Sequence, residues 1–316
     1  MPPNAITRAV AELTDIPELE ILEDPYQREE DSRWTMEIRL TPKNLDTQSN
    51  IPEETDWFVR IDETYPGGDI GIYPAKETGI TQTYPHQTLN TSGSTDRPWR
   101  NGNICVDRYT SSIGRTGGFE EPFDTTKRLQ WYIQRAITWL ELASTGDLRQ
   151  GGEPYELPAF SQSASHRQFV YNETRTSFRT WSEETERHGV AYLSKLEDTT
   201  TRVAVDYVDL EGNSVYTPEW GDTVETEQVM PSVWLLLEEP PIKPPWEVPE
   251  DWDDLDDLLS ATEENIFEVL GRVCEANPQA TFSYLLLGFP IPETIGGEDA
   301  YIHWQAIEID DIPDTS

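Results

Sequence analysis

The 316-residue chain carries 60 Asp and Glu against 23 Lys and Arg, which gives a formal net charge of −37. Direct binding to nucleic acid is disfavoured, because contacts to phosphates need clustered Lys and Arg side chains. We interpret the charge as a solvated surface suited to a salt-rich cytoplasm, where salt screens self-repulsion beyond roughly 3 Å at about 1 M. A surface adapted to a basic partner is the alternative.

The first predicted elements are a helix and three strands. Apolar residues recur at helical spacing over 5–22, which predicts an amphipathic helix. Alternating apolar residues predict a half-buried strand over 33–42, and further strands are predicted over 55–66 and 69–75. The expected order is therefore one helix followed by a three-stranded meander.

An irregular stretch rich in Gly, Ser, Thr, Asn and Pro follows over 76–103. Loops of this length inside a compact domain are usually functional or disordered. A short β-like run, NICVDRY (103–109), and a second glycine-rich loop then lead to a helix predicted over 125–146. Asp124 is the expected N-cap of that helix and Gly146 its expected C-cap.

The chain from residue 161 onwards is predicted to form a second, β-rich domain, since the length alone favours two domains. It contains a Pro-rich connector over 240–249 and an acidic helix near 251–276. Strand-like runs occupy 167–178, 188–196, 201–210, 232–241, 282–292 and 301–309.

The two cysteines, Cys105 and Cys274, are far apart and form no CxxC pair, so we expect thiols in a reducing cytoplasm. Cys274 lies on the apolar face of the predicted acidic helix, which indicates a structural thiol. No apolar run approaches the roughly 18 residues of a membrane span, so no membrane partner is expected. The first 21 residues lack the pattern of a signal peptide.

Metal and cofactor sites are not expected. The four histidines show no paired ligand spacing, which disfavours zinc. The acidic pairs 253–254 and 256–257 could bind a divalent cation, but a solvated helix face is the simpler interpretation. No Gly-x-Gly-x-x-Gly motif opens a helix after a strand, and no lysine-containing phosphate loop is present, so we expect no adenylation site.

The order of elements and several short motifs together resemble the ubiquitin-conjugating enzyme fold. The motifs are Tyr65-Pro66 after the strands, Tyr84-Pro85-His86-Gln87 in the irregular stretch, and Gly102-Asn103-Ile104-Cys105 before a helix. The chain is most similar to the prokaryotic branch of this family found in antiphage (CBASS-type) conjugation systems. That comparison also uses Trp131 and Trp139 on the helix, Gly146-Asp147-Leu148, and Glu156-Leu157-Pro158.

The resemblance implies an α+β fold, with a ubiquitin-conjugating-enzyme-like domain over 1–160 and a β-rich linker or docking domain over 161–316. It implies that Cys105 carries a ubiquitin-like modifier, or a protein C-terminus, as a thioester and transfers it to a target amine. A separate ThiF-like activating enzyme is the implied partner, and antiviral defence the implied setting. The second domain would dock the activating protein or the target.

Further residues are candidates for this chemistry, and some of them have a structural alternative. His86 is either a residue at the root of the loop that bonds backbone groups or a base that partners the thiolate. Asp107 either orients or deprotonates the incoming amine or is a solvated charge. An oxyanion-stabilising amide could come from Asn90, Asn101 or Asn103, of which Asn101 is slightly favoured. Cys105 itself is either the nucleophile or a buried small residue.

The family's usual His-Pro-Asn triplet is replaced here by Pro85-His86-Gln87. This departure raises an alternative function of another class, a non-catalytic binding or scaffold protein on the same fold. The Gly-Asn-Ile-Cys run disfavours that alternative, because it keeps a cysteine where the resemblance places the nucleophile.

Overall fold

The computed structural model describes residues 2–29, 31–106, 122, 124–160, 167–221, 224, 229–260 and 265–309. The fold is α+β and consists of two compact units. The first unit comprises residues 1–150 together with 244–247, and the second comprises 151–243 and 248–316. The domain boundary predicted at residue 160 stays a prediction.

The first unit contains an antiparallel four-stranded sheet in the order β1-β2-β3-β4. Its elements in chain order are α1 (Asn4–Ala11), a 3₁₀ turn (Glu12–Asp15), β1 (Leu19–Gln27), β2 (Trp34–Leu40), β3 (Thr55–Ile61), β4 (Ile70–Pro74) and α2 (Arg128–Thr145). The strands predicted over 33–42, 55–66 and 69–75 are confirmed as β2, β3 and β4, although β3 ends at Ile61, earlier than predicted.

One face of this sheet packs against α1 and α2 to form the core. Side chains alternate between the two faces of a strand, so every second residue of β2 and β3 points into that core. The buried residues include Met36, Ile38, Trp57, Val59, Ile61, Ile72, Ile6, Leu13, Ile133, Ala136 and Leu140. Trp139 of α2 meets the Trp57 ring edge-on, with the ring centroids 6.4 Å apart.

The prediction of a single helix over 5–22 is wrong in its second half. Helix α1 ends at Ala11, the 3₁₀ turn ends at Asp15, and β1 begins at Leu19. The reason is Pro17, because a proline forces the residue before it into extended backbone, and Ile16 has φ −95° and ψ 107°. The meander consequently has one more strand than the sequence predicted.

Helix α2 begins at Arg128, three residues later than predicted. Asp124 does not cap the helix; its side chain instead accepts hydrogen bonds from the backbone N–H and hydroxyl of Thr126 in the preceding turn. The predicted C-cap is confirmed, since Gly146 has φ 77° and its N–H donates to the Ala143 carbonyl.

The second unit contains a seven-stranded mixed sheet with helices on both faces. Its main path is β11-β10-β9-β6-β7-β5, and β8 pairs with β7. The β9–β10 and β5–β7 pairs are parallel. Its elements are β5 (Gln168–Val170), α3 (Arg175–Glu183), β6 (His188–Lys195), β7 (Thr201–Val208), β8 (Ser214–Tyr216), β9 (Val229–Leu236), α4 (Trp252–Ser260), α5 (Ile266–Ala276), β10 (Tyr284–Pro292) and β11 (Asp299–Glu308).

Alternation along the central strands produces two cores. Val233 and Leu235 of β9 face an aliphatic core built with α4 and α5. Trp234, between them, faces the opposite core, where Trp181 of α3 lies 5.3 Å from its ring and Trp304 of β11 completes an aromatic cluster. Strands that are buried on both faces are near-continuous apolar runs in sequence, which explains why β9 and β10 were predictable.

Two predictions for the second unit are wrong. Residues 167–178 were expected to be strand, but only 168–170 pair in the sheet and 175–183 form α3, which starts at a capping box between Thr174 and Ser177. The single helix near 251–276 is two helices, because Asn265 caps a new helix by accepting the Glu268 N–H. Within the described residues, none of the helices is long and apolar enough to cross a membrane.

Asp56 on the outer side of β3 is expected to make the stability of the first unit depend on pH in acid. Its buried carboxylate accepts hydrogen bonds from Arg39 at 2.7 Å and 3.0 Å and from the Thr78 hydroxyl at 2.7 Å. The hydrogen bond from Arg39 outweighs burial and holds the pKa of Asp56 below its ordinary value. The resulting stabilisation is present above the carboxyl's unfolded-state pKa and is lost as pH falls through the lowered folded-state pKa.

We expect Asp56→Asn to lower the free energy of unfolding at neutral pH by about 1–3 kcal/mol, since it loses the charge-assisted hydrogen bonds. As pH falls below about 4, it should lose less stability than the wild type, because an amide does not titrate. Two experiments at constant salt measure both effects: unfolding in urea, and amide hydrogen exchange in β2 and β3. The exposed Glu53→Gln is the control, and an identical acid profile for Asp56→Asn and wild type would contradict the assignment.

Candidate functional site

Cys105 lies on a short extended run that is held between β4 and residues 86–88. On one side, the Ile104 N–H donates to the Ile72 carbonyl at 3.1 Å. On the other side, the Cys105 N–H donates to the His86 carbonyl at 2.8 Å. Ile104 is buried in the core, whereas Cys105 is exposed. The backbone at the cysteine is therefore fixed from both sides while its side chain reaches solvent.

His86 contacts this run through its backbone and a second segment through its ring. Its backbone is left-handed, with φ 57°, which is uncommon for a residue other than glycine. Its Nε2 lies 3.2 Å from the Leu148 carbonyl oxygen, which can only accept, so Nε2 carries the hydrogen and donates. The ring thus links the Cys105 loop to the segment that follows α2.

Both polar atoms of the Asn90 side chain form hydrogen bonds within the irregular stretch. The side chain is buried, and its Nδ2 donates to the carbonyls of Ile80 and Gln82, both at 3.0 Å. Its Oδ1 accepts from Arg100 Nε at 3.1 Å. A Cβ on Gly102 would lie 2.4 Å from this oxygen, so only glycine fits beside Asn90 in the run before Cys105. Asn90 is a structural residue.

Asn101 and Asn103 differ in how their amides are held. Asn101 is exposed, and its Nδ2 donates to the Thr91 hydroxyl at 2.8 Å. Asn103 is half-buried, and its Oδ1 accepts the Ile72 N–H of β4 at 2.8 Å. Asn103 is therefore anchored to β4 by its side-chain oxygen.

Gln87 occupies the place of the asparagine in the family's usual triplet, and both ends of its amide are bonded. Its Oε1 accepts the Tyr84 N–H at 3.0 Å, and its Nε2 donates to the Gly102 carbonyl at 3.1 Å. These two bonds tie the start of the turn at residues 84–87 to the run that carries Cys105.

Helix α2 also contacts the run that carries Cys105. Arg135 donates from Nε to the Val106 carbonyl, in the residue after Cys105. Its guanidinium lies over the Trp131 ring at 5.0 Å, one helical turn earlier. Arg135 was not among the residues selected from the sequence, because its helical position gives no signal of a contact with residue 106.

The structure brings Cys105 and His86 into direct backbone contact and places Asn101 and Asn103 on the adjoining run. Asp107 lies outside the described residues.

Cys274 is partly buried on α5 against the aliphatic core, and burial raises the pKa of its thiol. A raised pKa disfavours the thiolate, so Cys274 fits the structural role predicted for it. Within the described part of the chain, no group of three His, Cys, Asp or Glu side chains could hold a metal ion.

Comparison with known proteins gives two findings. A family model described as the Cap2 central linker domain matches residues 146–316. A relative from Enterobacter hormaechei subsp. hoffmannii (strain UCI 50), the "ATP-dependent ubiquitin transferase-like protein Cap2", is 27% identical over 291 residues. The alignment covers 90% of this chain and 48% of the relative, so the chain spans about half the length of the protein it matches.

Proposed function

The chain belongs to the Cap2 linker-domain family, and from this we propose that it acts in ubiquitin-like protein conjugation as a transferase that uses Cys105. In this proposal, Cys105 carries a modifier, or a protein C-terminus, as a thioester and passes it to a target amine. The observation that carries the proposal is the exposed Cys105 on a backbone run that β4 and the His86 turn hold on both sides.

The architecture of the first unit supports a ubiquitin-conjugating-enzyme-like fold. A helix, an antiparallel meander, an irregular stretch ending at a cysteine, and a second long helix follow one another in the order that the resemblance implies. The relative's name, a ubiquitin transferase-like protein, agrees with a transfer reaction. The antiviral setting and the cytoplasmic location are parts of the proposal that rest on the resemblance.

The transfer would proceed in two steps. The Cys105 thiolate attacks the thioester carbonyl on a separate ThiF-like activating protein, and that protein's thiolate leaves. A target amine then attacks the new thioester, the amide bond forms, and the Cys105 thiolate leaves as the amine proton passes to a base or water. Cysteine suits both steps, because its thiolate is a strong nucleophile and a good leaving group.

Both steps pass through a tetrahedral intermediate whose oxyanion needs a donor about 3 Å away. We propose Asn103 rather than Asn101 for this role. The Asn103 oxygen is bound by the Ile72 N–H. Residues two apart in an extended run share a face, so the amide nitrogen of Asn103 would lie on the side of the run that carries Cys105. Asn101 instead donates its amide N–H to Thr91. The catalytic role considered for Asp107 stays a proposal that depends on residues outside those described.

His86 is proposed as a positioning residue and not as a base. Its Nε2–H is directed at the Leu148 carbonyl, and its own carbonyl accepts the Cys105 N–H. These two hydrogen bonds tie the turn to the segment after α2 and to the run that carries Cys105, which is the work of a positioning residue.

A binding or scaffold protein is the second candidate. One observation favours it: Gln87, which replaces the asparagine of the usual triplet, has both ends of its amide bonded within the chain. On this view the first unit would hold a modifier without forming a covalent bond, and Cys105 would be an unreactive surface thiol.

A thioester trap tests the proposal. The chain is mixed at high salt with its activating protein, the modifier and ATP, and the products are separated with and without reductant. A conjugating enzyme gives an adduct that reductant removes. Binding of the modifier with no adduct in either lane would reject the transferase and support the scaffold.

A further inference from the structure

Residues 244–247, here called the return segment, belong to the first unit although they lie about a hundred positions after its last helix. Trp246 is 3% exposed, and the Arg149 guanidinium lies 4.2 Å from the centroid of its ring. A buried tryptophan under a cation is among the larger single packing contributions a short segment can make. The return segment is therefore a specific part of this unit.

Glu247, the next residue, contacts the irregular stretch directly. Its Oε1 accepts the Thr83 N–H at 3.0 Å, and the Thr83 hydroxyl in turn accepts the Asn90 N–H at 3.1 Å. Burial, with a smaller contribution from the Glu247 carboxylate, raises the pKa of Tyr84 to about 12. Tyr84 packs edge-on against Trp139 of α2, with ring centroids 5.9 Å apart. Glu247 thus holds the start of the turn that contains His86.

Trp246 and Glu247 of the return segment bind on either side of the His86 contacts. Glu247 binds Thr83, three positions before His86. Trp246 packs under Arg149, the residue after Leu148, whose carbonyl accepts the His86 ring N–H. His86 itself accepts the Cys105 N–H through its carbonyl. Two adjacent residues from a distant part of the chain therefore support the turn that holds Cys105. One acts where the turn begins, and the other acts beside the carbonyl that binds the His86 ring.

We propose that Trp246 and Glu247 are positioning residues for Cys105, acting through Thr83 and Leu148 on the His86 turn. One consequence of this proposal, a lower transfer rate, depends on the proposed transferase function. The positioning itself can be measured without any partner. Glu247 binds Thr83 and Trp246 packs under Arg149, so their effect should lie in how often the Cys105 N–H leaves the His86 carbonyl.

Hydrogen exchange on the full chain tests the positioning. In Glu247→Ala, the carboxylate that receives the Thr83 N–H is lost, and we expect the Cys105 amide to exchange about tenfold faster or more. Glu247→Gln keeps an acceptor oxygen and should restore most of the protection. Trp246→Phe should give an intermediate increase. Glu238→Ala, an exposed acidic residue of the second unit, is the matched control for removal of charge.

Exchange in β2 and β3 separates this effect from unfolding of the unit, since a local role leaves their protection unchanged. In the thioester assay, the Glu247→Ala chain should show a lower kcat with an unchanged KM for the activating protein. Unchanged exchange at Cys105 in both Glu247→Ala and Trp246→Phe would overturn the proposal, whatever the outcome of the transfer assay. Faster exchange with no thioester in wild type would keep the positioning and reject the transferase.

Discussion

Cys105→Ala is expected to abolish the reductant-sensitive adduct, with a transfer rate below about a thousandth of wild type. An adduct that a thiol reductant removes requires a cysteine, and the other cysteine of the chain is Cys274. Cys274→Ala should keep the adduct, since burial on α5 raises the pKa of that thiol and leaves little thiolate near neutral pH.

Cys105→Ser sharpens this experiment. A hydroxyl can form an ester where the thiol forms a thioester, and an ester resists thiol reductants but is cleaved by alkali. Conversion of the adduct from reductant-sensitive to alkali-sensitive would locate the bond at residue 105. An adduct in Cys105→Ala equal to that of wild type would show that the acyl group is carried elsewhere. Gel analysis of the three variants at one salt concentration supplies all of these results.

Much of the fold follows from local pattern, and the errors have local causes. Strands β2, β3, β9 and β10 were predictable because apolar alternation or continuous apolar runs mark them. The predicted helix over 5–22 is too long because the apolar spacing continues into β1, whereas Pro17 forces Ile16 into extended backbone and ends the helical segment. The segment 175–183 has few apolar residues, and its helix depends on a capping box and on Trp181 packing into the aromatic core.

The site is less predictable than the fold, because its contacts join residues far apart in sequence. Cys105, His86 and the nearby asparagines could be selected from composition and resemblance. Sequence alone does not show that the Asn90 oxygen accepts a hydrogen bond from Arg100, that the Asn103 oxygen binds β4, or that Arg135 donates to the Val106 carbonyl. The return segment is the clearest case, since a proline-rich stretch predicted as a connector supplies Trp246 and Glu247 to the first unit.

The choice between Asn101 and Asn103 predicts a large and specific kinetic difference. An amide donor to an oxyanion contributes about a hundred- to a thousandfold in rate, so Asn103→Ala should slow transfer by that amount. Asn101→Ala should change the rate only a few-fold, because its amide is bonded to the Thr91 hydroxyl on an exposed part of the run.

Asn103→Asp distinguishes catalysis from structure. The carboxylate keeps an oxygen that can accept the Ile72 N–H, so the run should stay in place, but it has no N–H to donate and adds negative charge beside the oxyanion. We therefore expect Asn103→Asp to be at least as slow as Asn103→Ala while unfolding at a similar urea concentration to wild type. Single-turnover transfer from preformed thioester to a free amine measures the step directly. A fast Asn103→Asp with a slow Asn101→Ala would return the role to Asn101, the residue that sequence alone slightly favoured.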